Sequence, residues 1–234
     1  MEIQKALNYL RKSDSRMGRL IDEYGPPEFN PINNYYESLV RSIVYQQLSG
    51  KAASTIFGRF KNLFNSKSFP KSKDVLTVPH ETLRSVGLSH QKANYIRDLS
   101  DKWEKGEVDL SNLDQLSDEE ISTELIKVKG IGQWTADMFL MFTLVRPDVF
   151  PFGDLGIQKG FMGLNKMDRL PTPKEMEMEA DMWRPYRTVA AWYLWKLVDG
   201  PFKWLKLIFH INSNIGTTSR SSGISATASS IRCF

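Results

Sequence analysis

Apolar residues in this chain recur at spacings of three and four almost from end to end, and no stretch alternates with period two long enough to make a strand. That periodicity commits the chain to an all-α fold. Tyr36, Leu39, Val40, Ile43 and Val44 define one helix, opened by Asn33-Asn34 and closing near Gln47. After a break at Ser49-Gly50, Ala52, Ala53, Ile56, Phe57, Phe60 and Phe64 define a second. Asn65 to Lys73, rich in Ser, Lys and Pro, reads as a loop. A short helix from His80 to Val86 stops at Gly87, and Ser89 caps the next, with Ala93, Ile96, Leu99 and Trp103 on one side. Ser117-Asp118-Glu119-Glu120 has the form of a capping box, for a helix ending near Val128. Another helix follows Gly132 through Trp134, Met138, Met141 and Phe142, and two more span about 154–163 and 173–183. Pro185 can open the last, since proline is tolerated in a first helical turn, and Trp192 and Trp195 read as its core face. From Asn212 the chain turns to Ser, Thr and Gly with no acids and little periodicity. The expected organisation is one helical domain over 1–211 and a disordered tail over 212–234.

Composition narrows the function. The single cysteine, Cys233, excludes a disulfide framework, a Cys-rich zinc site and a four-thiolate cluster. His80, His90 and His210 have no partners at metal-ligand spacing. No apolar run approaches 18 residues and the first ten residues lack a signal-peptide core, so the reading is of a soluble intracellular protein with no membrane partner. The net charge of +4 is a poor guide. Four of the 31 bases lie beyond Gly200, where no acid follows, and the remaining 27 balance 27 acids. Distribution says more: residues 31–97 hold ten bases against Glu37, Asp74 and Glu81, whereas Asp101 to Glu124 is strongly acidic. Such segregation suits one face meeting phosphate, and equally an ordinary solvated face.

The segment with the most chemical content is Val128-Lys129-Gly130-Ile131-Gly132, which joins two helices and is too short for anything but a tight hairpin. Gly130 and Gly132 permit positive φ and close approach of another backbone, and Ile131 between them can tuck inward. Amides at the start of the following helix would then face outward as an anion site. A helix-hairpin-helix that grips one DNA phosphate has this form; so has a plain turn with a glycine cap. Asp154 likewise admits two compatible roles, a helix N-cap and a carboxylate available for chemistry.

Four segments in order resemble one family. Lys129-Gly-Ile-Gly-Gln-Trp-Thr-Ala-Asp-Met-Phe139 and Arg146-Pro-Asp-Val-Phe-Pro-Phe-Gly-Asp-Leu-Gly-Ile-Gln-Lys-Gly160 are similar to helix-hairpin-helix DNA glycosylases, within them most to the 3-methyladenine DNA glycosylase II branch. Tyr45-Gln-Gln-Leu-Ser-Gly-Lys-Ala-Ala53 and Trp183-Arg-Pro-Tyr-Arg-Thr-Val-Ala-Ala-Trp-Tyr-Leu-Trp195 resemble two further segments of that branch. The resemblance covers roughly 35–197. It implies two helical lobes with the active site in the cleft between them, a monomer acting on damaged double-stranded DNA, and location in the cytoplasm of a prokaryote or the nucleus of a eukaryote. By it, Asp154 faces the sugar of an extruded nucleotide and is the catalytic residue. The lysine that relatives use for a Schiff base, two residues after the second hairpin glycine, is replaced by Trp134, so no strand cleavage by that route is expected.

The resemblance extends to the other contacts. Trp134, with Tyr45 and Trp183 as further candidates, would wall the base pocket, an indole face attracting a cationic base by about 1–2 kcal/mol. Lys129, Gly130, Ile131, Gly132 and Thr135 would hold one phosphate, and Ser49 and Lys51 another. Gln47 or Leu48 would fill the stack that the flipped base vacates. No cofactor is implied, except for a monovalent cation on the hairpin carbonyls; no metal is held by side chains. The readings are therefore a monofunctional glycosylase for alkylated purines, a non-catalytic helix-hairpin-helix DNA-binding protein, or a glycosylase for uracil, hypoxanthine or mismatched bases.

Overall fold

The computed structural model describes residues 1–64, 68–110, 112–113 and 115–198; the expected tail, His210 and Cys233 lie outside the described residues. Among the described residues every regular element is helical. One group of helices comprises α1 (Ile3–Ser13) and α2 (Ser15–Tyr24) with α10 (Leu155–Leu164), α11 (Pro173–Ala180) and α12 (Arg187–Leu197). The other comprises α3 (Tyr35–Tyr45), α4 (Gly50–Asn62), α5 (Ser72–Thr77), α6 (His80–Ser85) and α7 (His90–Glu104), followed by the hairpin pair α8 (Asp118–Ile126) and α9 (Gln133–Met138). Helices pack chiefly within these groups, giving two lobes.

The lobes meet at Phe139–Thr143, a π-helical turn that prolongs α9. All five of its residues are buried. Thr143 Oγ1 pairs with Ser38 Oγ of α3 at 2.6 Å, and Phe142 stacks near Trp195 of α12, with ring centres 5.9 Å apart. Such turns break α-helical register and re-aim side chains, and they recur next to functional sites. Within the first of these lobes α10 lies almost backbone to backbone on α12: a Cβ on Gly160 would stand 2.2 Å from Leu194 O.

Caps explain most helix starts. Asn34 accepts the Glu37 amide, Ser89 the Lys92 amide and Thr172 the Glu175 amide, and Ser117 forms the expected capping box with Glu120. Each such cap contributes about 1 kcal/mol. Four helices depart from the sequence reading. Helices α1 and α2 precede everything assigned from periodicity; only Asp14 separates them, its carboxylate accepting the Arg16 amide at 2.9 Å, and so brief a break leaves no loop signature. Helix α5 begins inside the expected loop, closed by the Asp74 carboxylate on the Lys71 amide, and six residues are too few to show a period. The last helix opens not at Pro185 but at Arg187, with Tyr186 as its N-cap residue.

Candidate active site

The hairpin between α8 and α9 forms as the sequence anticipates, with Val128 and Ile131 buried beneath it. Gly130 adopts φ +83°, and a Cβ there would lie 2.2 Å from the ring of Tyr95, so only glycine fits. Gly132 does not use the same freedom. Its φ of −105° and ψ of −180° are ordinary extended backbone, and no heavy atom lies within 4 Å of where its Cβ would be. What glycine supplies there is an unscreened approach to the amides of Gly132 and Gln133, which find no acceptor among the described residues. Thr135 corrects the expectation of a phosphate contact: it is buried, and its amide donates to Gly132 O at 3.0 Å. Lys129 donates its amide to Asp98 Oδ2 at 2.8 Å and holds its ammonium in the open, 3.8 Å from the same carboxylate.

Beside the hairpin runs the turn 46–49. Gln47 is exposed and left-handed at φ +55°, a conformation that costs a non-glycine residue about 1 kcal/mol. Leu48 is half-buried, and Ser49 caps α4 and leaves Lys51 exposed on its first turn. Gln46 reaches across to the hairpin, its Nε2 donating to Gly130 O at 2.8 Å.

Asp154 stands at the other side of the junction between lobes, as the N-cap of α10. Its Oδ1 accepts the Ile157 amide at 2.8 Å and Trp195 Nε1–H at 2.8 Å; its Oδ2 accepts Trp134 Nε1–H at 2.8 Å. One donor comes from its own helix, one from α12 and one from α9 across the junction. Three N–H groups on two oxygens suit an acceptor-only carboxylate, and they fix its plane. Gly156 makes room, since a Cβ there would sit 2.8 Å from Trp195 Cδ1 and 3.0 Å from Asp154 Oδ1. The N-cap role anticipated for Asp154 is met by Oδ1, on the Ile157 amide.

The aromatic assignments need correction. Trp183 is fully buried, with Nε1 donating to Asp14 Oδ2 at 3.0 Å and its ring against Phe150 and Phe161, so it has no face to offer a base. Tyr45 is also buried, packed on Phe57 with the Arg41 guanidinium 5.0 Å from its ring centre. Trp134 keeps a half-exposed ring, but its N–H is committed to Asp154. Trp195, assigned to the core from its spacing, is indeed buried, yet its one polar atom holds the carboxylate. Periodicity reports which face of a helix is buried and is silent about where an indole N–H points.

A second carboxyl escaped the sequence reading. Asp137 lies one turn beyond Trp134 on α9, half-buried, with Gln133 Nε2 donating to its Oδ1 at 2.8 Å. Burial pushes it up to about 6, opposed by that hydrogen bond and assisted by the charge of Asp154. Its spacing from Trp134 was the available signal. No group of three or more His, Cys, Asp or Glu side chains able to hold a metal occurs among the described residues, and no described helix is long and apolar enough to cross a membrane.

Comparison with known proteins agrees with this geometry. The family described as HhH-GPD superfamily base excision DNA repair protein matches residues 40–185. DNA-3-methyladenine glycosylase 1 of Schizosaccharomyces pombe is 35% identical over 191 residues, covering 81% of this chain and 84% of that protein. The solved structure of an S. pombe 3-methyladenine DNA glycosylase in complex with abasic DNA superposes with a TM-score of 0.73 at 35% identity, over 82% of this chain and 95% of that one. A DNA-3-methyladenine glycosidase from Bacillus halodurans gives 0.74 at 36% identity, over 86% and 93%. With its hairpin, its two lobes and its matching length, the chain belongs to the HhH-GPD superfamily of base excision DNA repair proteins.

Proposed function

We propose that this chain is a monofunctional DNA glycosylase that hydrolyses the bond between deoxyribose and an alkylated purine of the 3-methyladenine or 7-methylguanine type, leaving an abasic site. The observation that carries the reading is the Asp154 carboxylate, ringed by three N–H donors where the lobes meet. As the bond from C1′ to the base nitrogen stretches, its electron pair leaves with the base and positive charge grows on the sugar. A fixed carboxylate stabilises that charge and orients the water whose oxygen adds to C1′ and whose proton is released. An alkylated purine that is already cationic departs neutral, so no acid need protonate it. Trp134 serves twice in this account: its edge holds Asp154, and its half-exposed face stacks on the extruded base.

The Gly132 and Gln133 amides and Lys129 take one phosphate, Ser49 and Lys51 a second, and the side chain at 47 or 48 enters the duplex. One chain supplies both hairpin and carboxylate, which supports action as a monomer. A monovalent cation would rest on hairpin carbonyls alone. Val128 O and Gly130 O each already accept one hydrogen bond, from the Ile131 amide and from Gln46, and each keeps a second lone pair.

The test is a panel of duplexes carrying 3-methyladenine, 7-methylguanine, uracil, hypoxanthine or a mismatch. Release of the methylated purines with the strand left intact is expected. No release from any duplex would leave a DNA-binding protein; release of uracil or hypoxanthine alone would move the substrate class.

A further inference from the structure

Helix α3 ends in an unusual way. Its backbone leaves helical geometry at Gln46 (φ −51°, ψ 131°) and turns left-handed at Gln47, so its last carbonyls have no helical donor. Tyr45 O takes the Leu48 amide at 3.3 Å, and the carbonyls on either side of it are met by a lysine from another helix. Lys92, in the first turn of α7, donates its ammonium to Val44 O at 2.8 Å and to Gln46 O at 2.6 Å. Gln46 in turn donates its side-chain amide to Gly130 O in the hairpin. The next two turns of α7 complete the frame: the Tyr95 ring lies against Gly130, and the Asp98 carboxylate takes the Lys129 amide. Residues 92, 95 and 98 thus fix the inserting turn and the hairpin against one helix, and Gln46 ties the two to each other. Burial pulls the Lys92 ammonium down to about 8.

The geometry points to Lys92 as a positioning residue that holds the turn carrying Gln47 and Leu48 in register with the hairpin, so that phosphate capture and side-chain insertion into the duplex occur as one event. The inference rests on the DNA-glycosylase reading only in that the chain must engage damaged duplex. A lysine that merely capped α3 would, when lost, weaken binding and insertion alike. A register device fails differently, leaving the hairpin to bind while the turn no longer enters the stack.

The experiment uses the full chain and a duplex holding a tetrahydrofuran abasic analogue with 2-aminopurine as its neighbour. Insertion beside the fluorophore changes its emission at saturating protein. In Lys92→Met that change is expected to fall at least threefold, with the affinity for the duplex held within about threefold and its salt dependence unaltered; Lys92→Arg, which keeps donors for the two carbonyls, should restore most of it. Gln46→Met, at a half-exposed position where misfolding is not a concern, should show the same split and decides the matter if Lys92→Met does not fold. A wild-type-sized change in the variants, equal losses of affinity and emission, or no change with the wild-type chain would each overturn the proposal. Because no base is released in this assay, absence of excision from methylated duplex counts against the glycosylase reading alone.

Discussion

Two aspartates face the junction between the lobes, and they are held in opposite ways. Asp154 is surrounded by N–H groups from three helices, two of them from indoles that have little other polar chemistry to perform. Asp137 accepts a single neutral amide, from Gln133, and burial, with the charge of Asp154 adding to it, pushes its carboxyl up to about 6. The difference teaches that carboxylates so close together need not share a task. The three donors on Asp154 are arranged to keep a negative charge in one place and orientation. Nothing comparable compensates Asp137, so its charge is a cost that the fold carries.

The comparison breaks most visibly if Asp154→Asn remains active. That variant is expected to lose about 100-fold or more in single-turnover release of 3-methyladenine, the scale of removing preorganised electrostatic stabilisation, while still binding an abasic duplex. Asp137→Asn should stay within about threefold of the wild-type rate; a loss rivalling that of Asp154→Asn would mean that both acids work on the substrate. Trp195→Phe and Trp134→Phe sharpen the contrast, since each removes one N–H from the carboxylate while keeping an aromatic ring. About tenfold slower excision is expected for each, from roughly 1.5 kcal/mol per hydrogen bond to a charged group. An undiminished rate in Trp195→Phe would show that its N–H does not position the acid.

Stability tests the account of Asp137 directly. In the unfolded chain Asp137 titrates near 3.8, whereas in the fold its value is about 6. Ionising it therefore destabilises the fold by an amount that is absent below pH 4, grows between pH 4 and 6, and is complete above 6. Asp137→Asn should accordingly be more stable than the parent at pH 7 by about 1–2 kcal/mol, allowing for screening by solvent, and the gain should vanish by pH 4. Urea unfolding at the two pH values checks it. A gain that persists unchanged at pH 4 would assign the effect to packing. The smallest effects lie outside the junction. Charge removal at Lys51 or Lys129 should lower the slope of log affinity against log salt by about 1 each, without altering base preference. An unchanged slope in both would place the DNA elsewhere.

Much of this architecture was legible in the sequence because it is local. Ser89, Ser117 and Asp154 each cap the helix that follows, and capping depends on residues three apart. The hairpin was legible for the same reason, as were the inward Ile131 and the need for glycine at 130. The failures are those of distance. Trp134, Trp183 and Trp195 look alike in sequence, three indoles at helical spacing, yet the first and last converge on Asp154 and the middle one serves Asp14 on a different face.

The helical class, the hairpin and the position of the candidate acid were therefore determined by the chain's own order of residues, through contacts within a turn or two. Which indoles hold that acid, which neighbouring carboxyl is pushed up by burial, and which lysine braces the turn at 46–49 were decided only when α7, α9, α10 and α12 packed, because a hydrogen bond between residues dozens apart is set by how helices cross and leaves no period behind it.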